Sequence, residues 1–345
     1  MYVVRPVRTA DLPAIERMAE ASGIGVTSLP SNREKLFELI QQSQNAFEHE
    51  ADVDAGREYY MFVLEANGDV IGTASINASA GFDEPFYSYR SETFVHASRT
   101  LKVNNKVHVL TMCHDLTGLV QLCGFYADRS HEALASELLS RARLMFIASQ
   151  QKRFGKRVVA EMQGIHGVNG QAPFWDAIGR RFFNMDFAEV ERAFASRSKT
   201  FITELMPTYP IYVPLLPDEA QQAIGQVHPD FELPFQLLSR EGFEADNYID
   251  IFDGGAVLTA DIDRLYTVRL SQSVPVEVTT HLPASSSLRL ASNERVEDFA
   301  ATLVRAEVVD CVAFVSPDGA KALGVSSGEH IRLAPLQNDK QGEQA

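Results

Sequence analysis

The chain has 345 residues, 45% hydrophobic and 22% charged, with 31 Lys plus Arg against 46 Asp plus Glu and a net charge of −15. This ordinary globular composition excludes a disordered chain, a collagen-like chain and a disulfide-stapled mini-protein. The length gives a prior of about two domains. An acidic surface repels phosphates and anionic lipid, so neither nucleic acid nor membrane is an expected partner, and cationic small substrates are favoured. Cys113, Cys123 and Cys311 are odd in number, sparse and without zinc spacing, so reduced thiols and no metal are expected. MYVVRPVRTADLP has no apolar signal region and no run of 18 apolar residues follows, which makes the cytoplasm the default compartment.

In chain order, residues 2–7 read as a strand. Asp11, with Pro13 behind it, is placed to cap a helix carrying Ile15, Met18 and Ala19. A second helix spans about 32–49. Strands 59–66 and 70–78 are joined by Asn67-Gly68-Asp69, a strong hairpin signal. Residues 92–112 read as extended with a turn at Asn104-Asn105, and LVQLCGFYA (119–127) as an apolar strand. A helix over about 131–149 presents Leu134, Leu138, Leu139, Met145 and Phe146, and 157–163 is the next strand. The stripe Phe174, Trp175, Ile178, Phe182 and Phe183 makes 173–183 a helix whose aromatic face reads as core. Residues 199–216 alternate strand-like and Pro-broken text, 218–224 is a short helix, and 233–241 is a helix stopped by Gly242. NYIDIF (247–252) is a strand, and from 256 short Val/Thr-rich segments (AVLTADI, YTVRLSQ, VPVEVTTHL, CVAFVS, HIRLAPL) suggest a β-rich unit. The expected division is 1–255, 256–337 and a frayed polar tail, 338–345.

The element order matches that of the GNAT acyltransferases. The strings VRPVRTADLPAI, VTSLP, PFYSYRSETFVHASRTL, FWDAIGRRFF, FITELMPTYPIYVPLLP, IGQVHP and NYIDIFDGG together resemble the arginine N-succinyltransferase family from residue 2 to about 335. ETFVHAS, NNKVHVLTMCHDLTG and GFYADR are most similar to the alpha-subunit branch of its two-subunit arginine/ornithine enzymes. The resemblance implies an α+β, GNAT-like acyltransferase fold with a small C-terminal β-rich domain. It implies transfer of succinyl from succinyl-CoA, as cosubstrate, to the α-amino group of L-arginine, with ornithine as a second acceptor. No permanently bound cofactor is implied, and a homologous beta-type subunit is the implied partner. His228 falls in the family's proton-donor motif GQVHP, where imidazole suits acid–base work near neutral pH. Phe125 occupies the succinyl-CoA position, where the family often has leucine.

Plainer readings stand beside these. His228 also reads as a structural histidine beside Pro229, and Phe125 as core packing. His96 and His114 are rival histidines that read better as satisfied polar groups. Asp115, Asp250 and Asp253 are candidates for a guanidinium, and Arg90, Arg99, Arg180 and Arg181 for a succinyl carboxylate. One departure is sharp. Where a GNAT helix opens with glycines that admit a CoA pyrophosphate, this chain has Leu134 and Ser136, flanked by Glu132 and Glu137. That favours a second reading, a catalytically silent structural or regulatory subunit that stabilises an active homologous partner.

Overall fold

The opening order expected from the sequence is observed: strand β1 (Tyr2–Pro6), helices α1 (Leu12–Ala21) and α2 (Arg33–Glu48), then strands β2 (Tyr59–Ala66) and β3 (Asp69–Asn77). The structure is a computed structural model and describes residues 1–22, 29–49, 56–167, 170–194 and 200–336. The tail expected over 338–345 lies outside the described residues, as do the first three residues of VTSLP. The β2–β3 turn works as its sequence dictates, because Asn67 and Gly68 both take positive φ, 53° and 97°. Asp11 does not cap α1 with its side chain. It is buried and accepts a two-pronged bond from Arg5 (2.8 and 3.0 Å) and one from the Arg8 N–H.

A long hairpin, β4 (Ser88–Ser98) and β5 (Val103–Cys113), follows. Its turn is Arg99–Lys102, not the expected Asn104-Asn105. Asn104 and Asn105 are strand residues opposite Ala97 and His96, and Lys102 takes the left-handed φ of 52°. Strand β6 (Val120–Ala127) leads to helix α3 (Ala133–Ser149) and strand β7 (Arg157–Glu161). The helix expected over 173–183 is two helices, α4 (Pro173–Ala177) and α5 (Gly179–Phe183). They break at Ile178, and at Gly179, which opens α5, a Cβ would stand 2.1 Å from the Trp175 ring. Most of the aromatic stripe is core, as expected: Phe174 and Trp175 are fully buried and Ile178 and Phe183 are buried, but Phe182 is 48% exposed. Next come α6 (Phe187–Phe194), α7 (Thr200–Leu205), β8 (Ile211–Tyr212), α8 (Asp218–Ala223), α9 (Glu232–Glu241), β9 (Glu244–Ile249) and β10 (Ala256–Asp261). The strand-like text FITEL is therefore helical, in α7.

After β10 the chain forms α10 (Tyr266–Leu270), β11 (Gln272–Val278), β12 (Ser287–Asn293), β13 (Ala301–Val309), β14 (Val312–Val315), α11 (Pro317–Leu323) and β15 (His330–Pro335). YTVRLSQ, read as a strand, is the helix α10. AVLTADI is strand β10, as read, but it pairs with β7 and β9 in the main sheet. Strands β12, β15, β11, β14 and β13 are paired in that order, and β12 also pairs with β13, so the five close a ring. The ring joins the rest through β13 against β1.

The main sheet runs β1-β2-β3-β6-β7-β10-β9-β4-β5-β8, and among the described residues its one parallel pair is β6–β7. Helix α3 packs on this sheet and is buried almost continuously from Ala135 to Ala148. Phe146 lies edge-on to Phe47, Phe62 and Phe299 at 5.2–5.5 Å. Such a side chain contributes about 1.5–3 kcal/mol by burial. Among the described residues no helix is long and apolar enough to cross a membrane.

Candidate functional site

Strands β6 and β7 set the site. They pair only at Val120 with Val158 and Gln121 with Val159, and beyond that point they separate. A cleft of about 310 Å³ occupies the opening, with Leu122–Phe125 on one side and Ala160–Gln163 on the other. On its far edge β6 carries a bulge. Thr73 opposes Tyr126 and Ser75 opposes Cys123, so Gly124 and Phe125 together face Ala74. Gly124 takes a φ of +58°, and a Cβ there would stand 3.0 Å from the Ser75 hydroxyl. The bulge interrupts the regular β3–β6 ladder at Gly124 and Phe125. Phe125 thus lines the cleft as well as packing on the core.

His228 stands beside this cleft. Its backbone N–H donates to the carbonyl of Gln163, a wall residue (2.8 Å). Its Nδ1 accepts the Asp230 N–H at 3.2 Å, which in the neutral ring places the proton on Nε2. The Asp230 carboxylate is 3.7 Å from Nδ1. Arg129 bonds that carboxylate at 2.8 Å and holds its pKa below the ordinary value, so it stays ionised. The ring stacks on His166, with centroids 4.5 Å apart and planes at 12°. Burial lowers the pKa of His166, and its buried Nε2 has no hydrogen-bond partner among the described residues.

Among the described residues four carboxylates line the cleft: Glu161, Glu191, Asp250 and Asp253. An amide relay reaches the first of them, in which Asn77 donates to Gln121 (2.8 Å) and Gln121 donates to Glu161 (3.1 Å). Asp253 accepts the Gly164 N–H at 2.7 Å and the Gly255 N–H at 2.8 Å, one on each oxygen. Burial raises the pKa of both Asp250 and Asp253, and the charge of Asp250 raises Asp253 further. Cys123 also lines the cleft, but burial pushes its thiol up to about 12, so it is no nucleophile at neutral pH.

Of the guanidinium candidates, Asp250 and Asp253 are at the cleft, while Asp115 pairs with Arg90 at 2.7 Å away from it. None of Arg90, Arg99, Arg180 and Arg181 lines the cleft. Arg90 is held by Asp115 and Glu92, and Arg180 by Asp176 in the next helical turn back. His96 is exposed on β4 beside Tyr212, and His114 is exposed as well. Among the described residues the cation lining the cleft is Arg143, on α3, a residue not singled out from the sequence. It is 2% exposed, and its guanidinium lies 5.4 Å from the Phe125 ring centroid. The start of α3 carries the expected Leu134 and Ser136, half-buried and buried. Glu137 does not add a free charge there as expected, because it is paired with Arg141 at 2.7 Å.

The sheet thus opens at a bulged strand beside a histidine. Residues 2–267 match the family model for the arginine N-succinyltransferase beta subunit, and residues 272–335 match the model for its C-terminal domain. The arginine N-succinyltransferase subunit alpha of Pseudomonas aeruginosa is 47% identical, with 97% of this chain and 100% of that protein covered. The subunit beta of the same organism is 37% identical, with 99% and 100% covered. The arginine N-succinyltransferase of Salmonella schwarzengrund is 39% identical, with 97% and 98% covered. The solved structure of arginine/ornithine succinyltransferase subunit AI from Pseudomonas aeruginosa superposes with a TM-score of 0.89 at 44% identity, covering 98% of this chain and 99% of that one. The chain belongs to the arginine N-succinyltransferase family, a family of acyltransferases.

Proposed function

We propose that this chain is an alpha-type arginine N-succinyltransferase subunit. It transfers succinyl from succinyl-CoA to the α-amino group of L-arginine, with ornithine as a second acceptor, in a complex with a homologous beta-type subunit. The observation that carries the reading is the opened β6–β7 wedge, with its bulge at Gly124–Phe125 and His228 alongside. An extended thioester arm fits between separated strands in a GNAT-like manner, with its carbonyl beside the bulge. Phe125 is the succinyl-CoA contact in this reading. The carboxyl groups of Asp250, Asp253, Glu161 and Glu191 supply oxygen acceptors for a cationic acceptor.

The neutral α-amine attacks the thioester carbon and the C–N bond forms. The C–S bond then breaks and the sulfur leaves as thiolate. In the protonated His228 ring the Nδ1–H has the Asp230 carboxylate as partner, so Nε2–H is the proton given to sulfur. The proton shed by the new amide nitrogen restores the ring. A general acid at this point contributes about 10²–10⁴ in rate.

The silent-subunit reading keeps one observation in its favour. Leu134 and Ser136 stand where glycines would open the first turn of α3, and Glu132 precedes that turn with its side chain exposed and making no cap bond. Incubating the chain with L-arginine and succinyl-CoA, alone and with a co-expressed beta-type subunit, tests the proposal. Release of CoA thiol with N-succinylarginine formed is the expected result, with co-elution of the two subunits on size exclusion. No product from either preparation refutes it.

A further inference from the structure

We propose that Arg143 receives the free carboxylate at the far end of the acyl group, and that this contact selects a dicarboxylic acid monothioester over a plain fatty acyl thioester. The inference rests on the succinyl-transfer reading above and names the residue that would make the acyl donor succinyl.

Among the described residues lining the cleft, Arg143 is the one with a permanent positive charge. It is 2% exposed, and no carboxylate of the described residues lies within ion-pair distance of it. Its Nε and Nη2 make long bonds to the carbonyl and hydroxyl of Ser140, 3.3 Å each, and its Nη1 makes none within the described residues. Burial draws the guanidinium down to about 10, which still leaves it protonated at neutral pH. A buried cation without a counter-charge is a costly arrangement, and an anion brought into the cleft relieves it.

Position supports the same partner. The guanidinium lies against the Phe125 ring at 5.4 Å, and Phe125 belongs to the bulge proposed to face the thioester carbonyl. The free carboxylate of a succinyl group is two methylenes from that carbonyl, so it must come to rest close to the bulge. The other charged residues lining the cleft are Glu161, Glu191, Asp250 and Asp253. None of them offers a carboxylate a positive charge, which leaves Arg143 as the side chain able to hold it. A planar guanidinium with a donor edge to spare can meet a carboxylate with two parallel bonds. An amine-bearing acceptor drawn to the four acids and an anionic donor drawn to Arg143 would thus enter one cleft without competing for the same groups.

The test compares succinyl-CoA with butyryl-CoA, a thioester of equal chain length ending in a methyl group. With the assembled enzyme and L-arginine, the unmodified protein should favour succinyl-CoA in kcat/KM. In Arg143→Met that preference should fall about 10–100-fold, the loss expected for a bond to a charged group. Arg143→Lys keeps the charge without the fork and should fall in between. If Arg143→Met does not fold, Arg143→Gln is read by the same ratio. A folded variant without the charge that keeps the full preference overturns the proposal. Calorimetric binding of the two thioesters to the unmodified protein gives a readout independent of turnover, and equal affinities overturn the proposal as well. Absence of transfer from both thioesters overturns the succinyl-transfer reading instead, while a tighter affinity for succinyl-CoA would still support the Arg143 contact.

Discussion

Arg141 and Arg143 sit two residues apart on α3 with almost the same burial, 1% and 2% exposed, yet their surroundings are opposite. Arg141 faces the junction with the C-terminal ring. It bonds Glu137 at 2.7 Å, Glu241 at 3.0 Å, the Thr267 hydroxyl at 2.8 Å and the Pro335 carbonyl at 2.7 Å. Arg143 faces the cleft with an aromatic ring, a serine and, among the described residues, no carboxylate. Two residues turn an α-helix by about 200°, so one helix serves both places. The first arginine completes the structure by itself. The second, without a carboxylate partner among the described residues, is the one proposed above to take an anionic ligand.

That contrast can be broken by removing each charge in turn. Arg141→Met should destabilise the protein by about 3–5 kcal/mol, because Glu241 is left buried without its cation. The urea-unfolding midpoint reads the loss. Its pH dependence follows from Glu241, whose pKa is raised by burial with Arg141 opposing. Loss of Arg141 raises it further. Between the ordinary carboxylate pKa and the raised one, the native state keeps a proton that the unfolded chain has released, so stability falls as pH rises. The gap between Arg141→Met and the unmodified protein should therefore be wider at pH 8 than at pH 5. Glu241→Gln added to Arg141→Met should narrow it.

A smaller effect is expected at the acidic side of the cleft. Asp253→Asn should cost about 1–3 kcal/mol, since an amide nitrogen cannot accept the Gly164 or Gly255 N–H that a carboxylate oxygen now holds. A midpoint equal to the unmodified protein's would show that these bonds do not hold the loop. Smallest of all is the stability change in Arg143→Met, within about 1 kcal/mol, because no paired group is orphaned and the side chain volume is largely kept. A loss as large as that of Arg141→Met would erase the distinction between the two arginines.

Much of the frame was legible because its signals are local. Asn67-Gly68 forces one hairpin, Gly242 ends α9 at a φ of 102°, and the apolar run 119–127 read as a strand is β6. Failures came where distant contacts decide. Asn104-Asn105 has turn composition, but the pairing of β4 with β5 carries it past the turn. Residues 266–270 are too few to show a helical period, and their helix is anchored by Glu241 accepting the Thr267 N–H and hydroxyl. The site was half legible. Asp250 and Asp253 line the cleft, whereas Arg90 and Asp115 neutralise each other on the surface. Arg143 left a signal that composition masks. Helix α3 has no polar stripe, so its two arginines, on opposite faces, could not both reach water.

The central claim, that this chain carries out succinyl transfer at the β6–β7 wedge, is tested most directly by His228→Gln in the assembled complex. Gln can keep a hydrogen bond near Asp230 but cannot give a proton to a thiolate, so the complex should assemble and kcat should fall by about 10²–10⁴. An unaltered kcat in that complex, with activity abolished by the matching change in the partner, would contradict the account and make this chain the silent subunit.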